Sequence, residues 1–85
     1  MKIQLFKVTQ AGDHRPQNRR LSATMPQGAE IIRMDKDCVQ AVVNSEQPMR
    51  QYCFVIVENN EELAVDSARY VCGINTNMHI FEVLK

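Results

Sequence analysis

The sequence predicts an all-β domain, or a β-dominated one with a single short helical turn, and three observations point there. Residues 50–57 read Arg-Gln-Tyr-Cys-Phe-Val-Ile-Val, with six consecutive apolar residues from Tyr52 and no Gly or Pro. Aromatic and β-branched residues crowded in this way favour a strand over a helix. Residues 21–25 alternate Leu-Ser-Ala-Thr-Met, the pattern of a strand with one buried face. The connections between most of the later strand-like runs are a few residues long, too short for parallel crossovers, so the strands pair antiparallel. The expected architecture is an antiparallel meander forming a small sandwich or an open barrel.

The elements follow in order. Residues 2–8 form a first strand with Ile3, Leu5, Phe6 and Val8 as its apolar members. Residues 9–20 are polar, with Gly12, Pro16 and Asn18, and read as a long connection at the upper end of ordinary loop lengths. After the strand at 21–25, Pro26-Gln27-Gly28 makes a turn, with Pro at the second turn position and Gly at the last of a type I turn. Residues 29–34 and 38–43 are strands joined by Asp35-Lys36-Asp37. Residues 44–48 break the chain before the central strand at 50–57. In that strand Tyr52, Phe54 and Ile56 face one way and Cys53, Val55 and Val57 the other. A strand apolar on both faces needs cover on both, from the sheet folding on itself, from a cap, or from a second copy of the chain.

Residues 58–68 change character. Glu61-Glu62-Leu63-Ala64 favours helix, and Asn59 or Asn60 fits as a cap, so either one helical turn or an acidic loop suits this segment. Residues 69–74 return to strand, with Gly73 as a bulge or a close-packing point. Asn75-Thr76-Asn77 is a turn, and residues 78–84 are the last strand. The whole chain, 1–85, reads as one domain.

At 85 residues the chain buries a modest core, which favours a homodimer as a way to bury more. Ten basic residues balance ten acidic ones, whereas general duplex nucleic-acid binders carry an excess of Lys and Arg. No apolar run approaches the roughly 20 residues of a membrane helix, and the opening heptapeptide is too polar for a signal peptide. Cys38, Cys53 and Cys72 lack metal-type spacing and lie in apolar runs, the mark of reduced core thiols in a cytoplasmic protein. No cofactor is expected.

For catalysis, His79 with Glu82 is the pair to consider, but residues three apart in a strand lie on opposite faces. A non-enzymatic protein is therefore expected. The candidate binding residues are His14, Arg15, Arg19 and Arg20, with His79 on the last strand. Arginine forks beside amide side chains suit phosphate, carboxylate or an acidic protein surface. The acidic segment through Asp66 suits a basic partner, or the basic loop of the same chain.

One stretch, Met25-Pro26-Gln27-Gly28-Ala29-Glu30-Ile31-Ile32, resembles a family of short uncharacterised proteins of tailed phages and prophages with a Met-Pro-x-Gly-Ala turn and strand. Cys38-Val39-Gln40-Ala41-Val42-Val43, Phe54-Val55-Ile56-Val57, Tyr70-Val71-Cys72-Gly73 and His79-Ile80-Phe81-Glu82 follow in that family's order. Gln40 stands where the family has Trp, Glu58-Asn59-Asn60 replaces its Gly-Thr-Gly, and Cys72 separates Tyr70-Val71 from Gly73. The resemblance implies a phage- or prophage-derived accessory protein in the host cytoplasm, acting by binding a host protein of a defence or regulatory pathway. The alternative is an oligomer that sequesters an anionic, nucleotide-type small molecule.

Overall fold

A computed structural model describes residues 1–10 and 19–84. The strands are β1 (Lys2–Lys7), β2 (Thr9–Gln10), β3 (Arg19–Pro26), β4 (Glu30–Met34), β5 (Cys38–Val43), β6 (Met49–Glu58), β7 (Ala68–Gly73) and β8 (Met78–Val83). They form two antiparallel sheets, β1-β5-β4 and β2-β3-β6-β8-β7, packed as a small sandwich. The all-β expectation holds, and among the described residues there is no helix. The strand order departs from a simple meander: β4–β5 and β7–β8 are hairpins, but β3 pairs with β6 and β1 with β5.

The core lies between the sheets. Leu21, Ala23 and Met25 of β3, Tyr52, Phe54 and Ile56 of β6, and Ile80 of β8 meet Met34 of β4 and Val39, Ala41 and Val43 of β5. Each set is one parity of its strand, so the period-2 pattern places a continuous apolar face on each sheet. Phe54, at the centre, is fully buried.

One side of the sandwich is stitched by the chain itself. Val8 is buried between β1 and β2, and its N–H donates to the Asp37 carbonyl at 2.9 Å as the chain passes from one sheet to the other. The opposite side is a seam between two edge strands, β4 and β7. At one end of the seam the Cys72 thiol donates to the Met34 carbonyl, 3.6 Å away. Toward the other end a cleft is lined by residues 28–31 and 69–71.

Three local expectations need correction, and a fourth resolves between its two alternatives. Pro26 opens its turn rather than taking the second position: Ala29 N–H reaches the Pro26 carbonyl at 3.3 Å, and Gly28 is third with φ of 82°. That backbone suits a type II turn, which requires positive φ at its third residue. Of the two expectations for Gly73, close packing holds: an added Cβ would lie 3.4 Å from the Tyr70 hydroxyl, and the bulge in β7 falls between Tyr70 and Cys72. Cys53 is exposed rather than a core thiol, because it lies opposite Ser22 on the outer face of the five-stranded sheet. Finally, residues 9–20 are not all connection: Thr9–Gln10 and Arg19–Arg20 pair within the sheet.

Residues 59–67 form an irregular, acidic segment that starts with a tight turn. Glu61 N–H donates to the Glu58 carbonyl at 3.0 Å, and Asn60 takes φ of 71°, a conformation Asn tolerates. Ala64 to Ser67 then lie against Arg20 and Val83, which flank the outer face of β6. Val55 and Val57 on that face are only 0% and 7% exposed within the single chain. The second apolar face of the central strand is thus covered at Val55 and Val57 without a second copy, and open at Cys53.

Candidate functional site

His79 sits on the outer face of β8, opposite Val57. Its Nδ1 lies 3.3 Å from the Tyr70 hydroxyl and its Nε2 2.8 Å from Asn59 Oδ1. Asn59 in turn donates from Nδ2 to the Thr76 carbonyl at 2.9 Å, and its backbone N–H to the Asn77 carbonyl at 2.8 Å. The ring therefore ties the turn after β6 to the turn before β8. Tyr70 also packs edge-on against Phe81, with ring centroids 5.3 Å apart.

Glu82 lies opposite Phe54 on the inner face, away from His79, as strand alternation requires. It is 4% exposed, and its carboxylate accepts from Arg69 Nη2 at 2.7 Å. Arg69 is its direct partner across the β7–β8 ladder, so the register itself brings the two together. A buried carboxylate needs such a partner, because an unpaired charge out of water costs several kcal/mol.

His14 and Arg15 lie outside the described residues. Arg19 is exposed at the start of β3, opposite Ile56 on the inner face. Arg20 is half-buried on the outer face and shares a cavity of about 280 Å³ with Ala64, Val65, Asp66, Ser67 and Val83. The two arginines therefore point to opposite faces of one strand and do not form a joint anion grip. Arg20 instead lines that cavity together with Asp66 of the acidic segment.

The larger cleft is elsewhere, at the open end of the seam. It measures about 420 Å³ and is lined by Gly28–Ile31 from the start of β4, Arg69–Val71 from the start of β7, and Arg50, Tyr52 and Glu82 from the sheet floor. Arg50 and Tyr52 are two apart in β6 and so share a face. The Arg50 guanidinium carbon lies 4.7 Å from the centre of the Tyr52 ring, within cation–π range. The Tyr52 hydroxyl is anchored beneath the turn, donating to the Pro26 carbonyl at 3.1 Å and accepting from Ala29 N–H at 3.4 Å.

The chemistry this allows is recognition. Arg50 is exposed and held on an aromatic ring, and among the described residues it forms no ion pair. Its N–H edges suit a carboxylate. Glu30 and Glu82 line the same cleft, which disfavours a ligand carrying several negative charges. Sequence reading missed this site. Its residues come from four strands and a turn, and only Arg50-Gln-Tyr52, a cation two before an aromatic in a strand, carried a local signal.

The cysteine thiols are free. Burial pushes the Cys38 thiol up, with the Asp35 and Asp37 carboxylates adding to the effect, and burial also raises Cys72. A raised thiol is a poorer nucleophile at neutral pH. Among the described residues, no group of three or more His, Cys, Asp and Glu side chains is placed to hold a metal ion. No helix among them is long and apolar enough to cross a membrane.

No protein-family model matches the chain, and no curated protein or solved structure matches it either. The site is accordingly read from its geometry.

Proposed function

We propose that this chain is a non-enzymatic binding domain that grips a partner protein at the seam between β4 and β7. The single observation that carries this reading is the cleft there, lined by both sheet edges beside an arginine held on a tyrosine ring. Among the described residues β4 and β7 each pair on one side only. Unpaired edges offer N–H and C=O groups to an added strand, and alternate side chains of that strand enter neighbouring pockets. An extended partner segment pairs with one edge and sets a carboxylate against Arg50.

The resemblance of the 25–32 segment and of the closing His-Ile-Phe-Glu to phage proteins supports a phage or prophage accessory protein whose partner is a host protein, acting in the host cytoplasm. The engagement of both His79 nitrogens with Asn59 and Tyr70 supports a structural role for that residue rather than catalysis. The test is affinity capture from bacterial lysate with the parent and with Arg50→Gln as baits. A partner held by the parent and lost by the variant, at unchanged melting temperature, supports the reading. Equal capture by both overturns it.

The volume of the cleft also favours a second reading, since small-molecule sites span about 300–1,000 Å³. In that case a small anionic molecule occupies the cleft. A thermal-shift panel of carboxylic acids and nucleotides separates the two. A ligand of the folded state adds about 2.7 kcal/mol at a hundred times its dissociation constant, whereas a protein-only site leaves the melt unmoved across the panel.

A further inference from the structure

β1 is the other edge of the three-stranded sheet, on the side away from the seam. Its middle carries Ile3 and Leu5, 61% and 63% exposed. Both sit on the outer face, Ile3 opposite Val42 and Leu5 opposite Gln40, while Lys2, Gln4 and Phe6 take the inner parity opposite Val43, Ala41 and Val39. A six-residue edge strand with two large apolar side chains at its centre is a template for another strand. We infer that β1 pairs antiparallel with β1 of a second copy, about a two-fold axis through Gln4, joining two three-stranded sheets into one of six.

The register follows from parity and charge. A two-fold axis perpendicular to the sheet keeps outer faces together, so only residues of like parity can stand opposite one another. Centred on Gln4, the pairing sets Ile3 against the second copy's Leu5 and Leu5 against its Ile3. It pairs residues 2–6 and builds two symmetry-related rows, each running from Val42 through Ile3 to the second copy's Leu5 and Gln40. Lys2 then meets Phe6. Lys2 and Lys7 have opposite parity, so in no such register does either face the other across the strands. The out-of-parity alternative centred between Gln4 and Leu5 places Lys2 against Lys7 and buries Ile3 beside an inner-face residue. The second copy leaves the β4–β7 seam open, so this inference stands independently of the proposed partner site.

The experiment is sedimentation velocity from micromolar to millimolar concentration on the parent and on Leu5→Lys. Each is checked by a circular-dichroism melt. A cross-linking arm uses Gln4→Cys in a Cys53→Ser background, with Met49→Cys as the exposed control. The expected result is a parent dimer, its loss in Leu5→Lys at concentrations where the parent associates, and a disulfide-linked dimer from Cys at position 4 but not at 49. A parent that stays at 9.8 kDa throughout overturns the inference. So does a dimer that survives Leu5→Lys with a parental melt, or one that links through position 49 and not through position 4. If Leu5→Lys fails to fold, the cross-linking arm decides alone.

Discussion

Several single residues hold turns in place by accepting or donating bonds the backbone would otherwise leave open. Asp35 Oδ1 accepts from the N–H groups of Asp37 and Cys38, at 2.7 and 2.9 Å. Those two bonds hold its carboxyl below the ordinary 3.8 of an aspartate. A group whose folded pKa is depressed contributes stability above its unfolded pKa and loses it as pH falls through the folded value. The β4–β5 hairpin should therefore weaken as pH drops below about 4, and Asp35→Asn should flatten that part of the acid-denaturation curve while keeping an acceptor for both bonds. Gly28 holds its turn by conformation instead, through its positive φ. An added Cβ would meet nothing within 4 Å, so the strain of Gly28→Ala is purely conformational. At φ of 82° the substitution should cost about 1–2 kcal/mol, read from urea midpoints. An unchanged midpoint would mean the turn has another form.

At the scale of elements, β6 was the most legible part of the chain. Its alternation correctly assigns Tyr52, Phe54 and Ile56 to the core, and Phe54→Ala should cost roughly 3–5 kcal/mol by leaving a cavity. A melt equal to the parent's would contradict its central place. The burial of Val55 and Val57 within one copy was not legible, because alternation shows that a face is apolar but not what lies over it. The ends of β3 were hidden for a related reason: Arg19 and Arg20 look like loop residues by composition, yet ladder bonds to Val55 and Ile56 extend the strand through them. The Arg69–Glu82 pair shows how register makes a site that separation in sequence conceals. Arg69→Met leaves a buried carboxylate without its charged donor and should cost about 1.5–3 kcal/mol. Replacing both, Arg69→Met with Glu82→Leu, should recover part of that loss. A double variant no better than the single one would show that the pair contributes little beyond packing.

For the whole molecule, alternation tells which residues face inward but not which strand lies beside which. Short connections suggest neighbours, and β4–β5 and β7–β8 obey; β3–β6 and β1–β5 do not, because the two-sheet core is filled only when the chain crosses between layers. The resulting sandwich is stitched at Val8 on one side and parted between β4 and β7 on the other. That parted side gathers Arg50, Tyr52, Arg69 and Glu82 into one cleft, and the account rests on its being where a partner binds. The most direct measurement places a photo-crosslinking residue at Gln27, beside the cleft, and in a second protein at Thr24, exposed on the outer face of the five-stranded sheet. Each is irradiated in bacterial lysate, with and without Arg50→Gln. The account predicts a discrete cross-linked partner at position 27, abolished by Arg50→Gln, and none at position 24. A partner captured equally at both positions, or one at position 27 that is indifferent to Arg50, would contradict it.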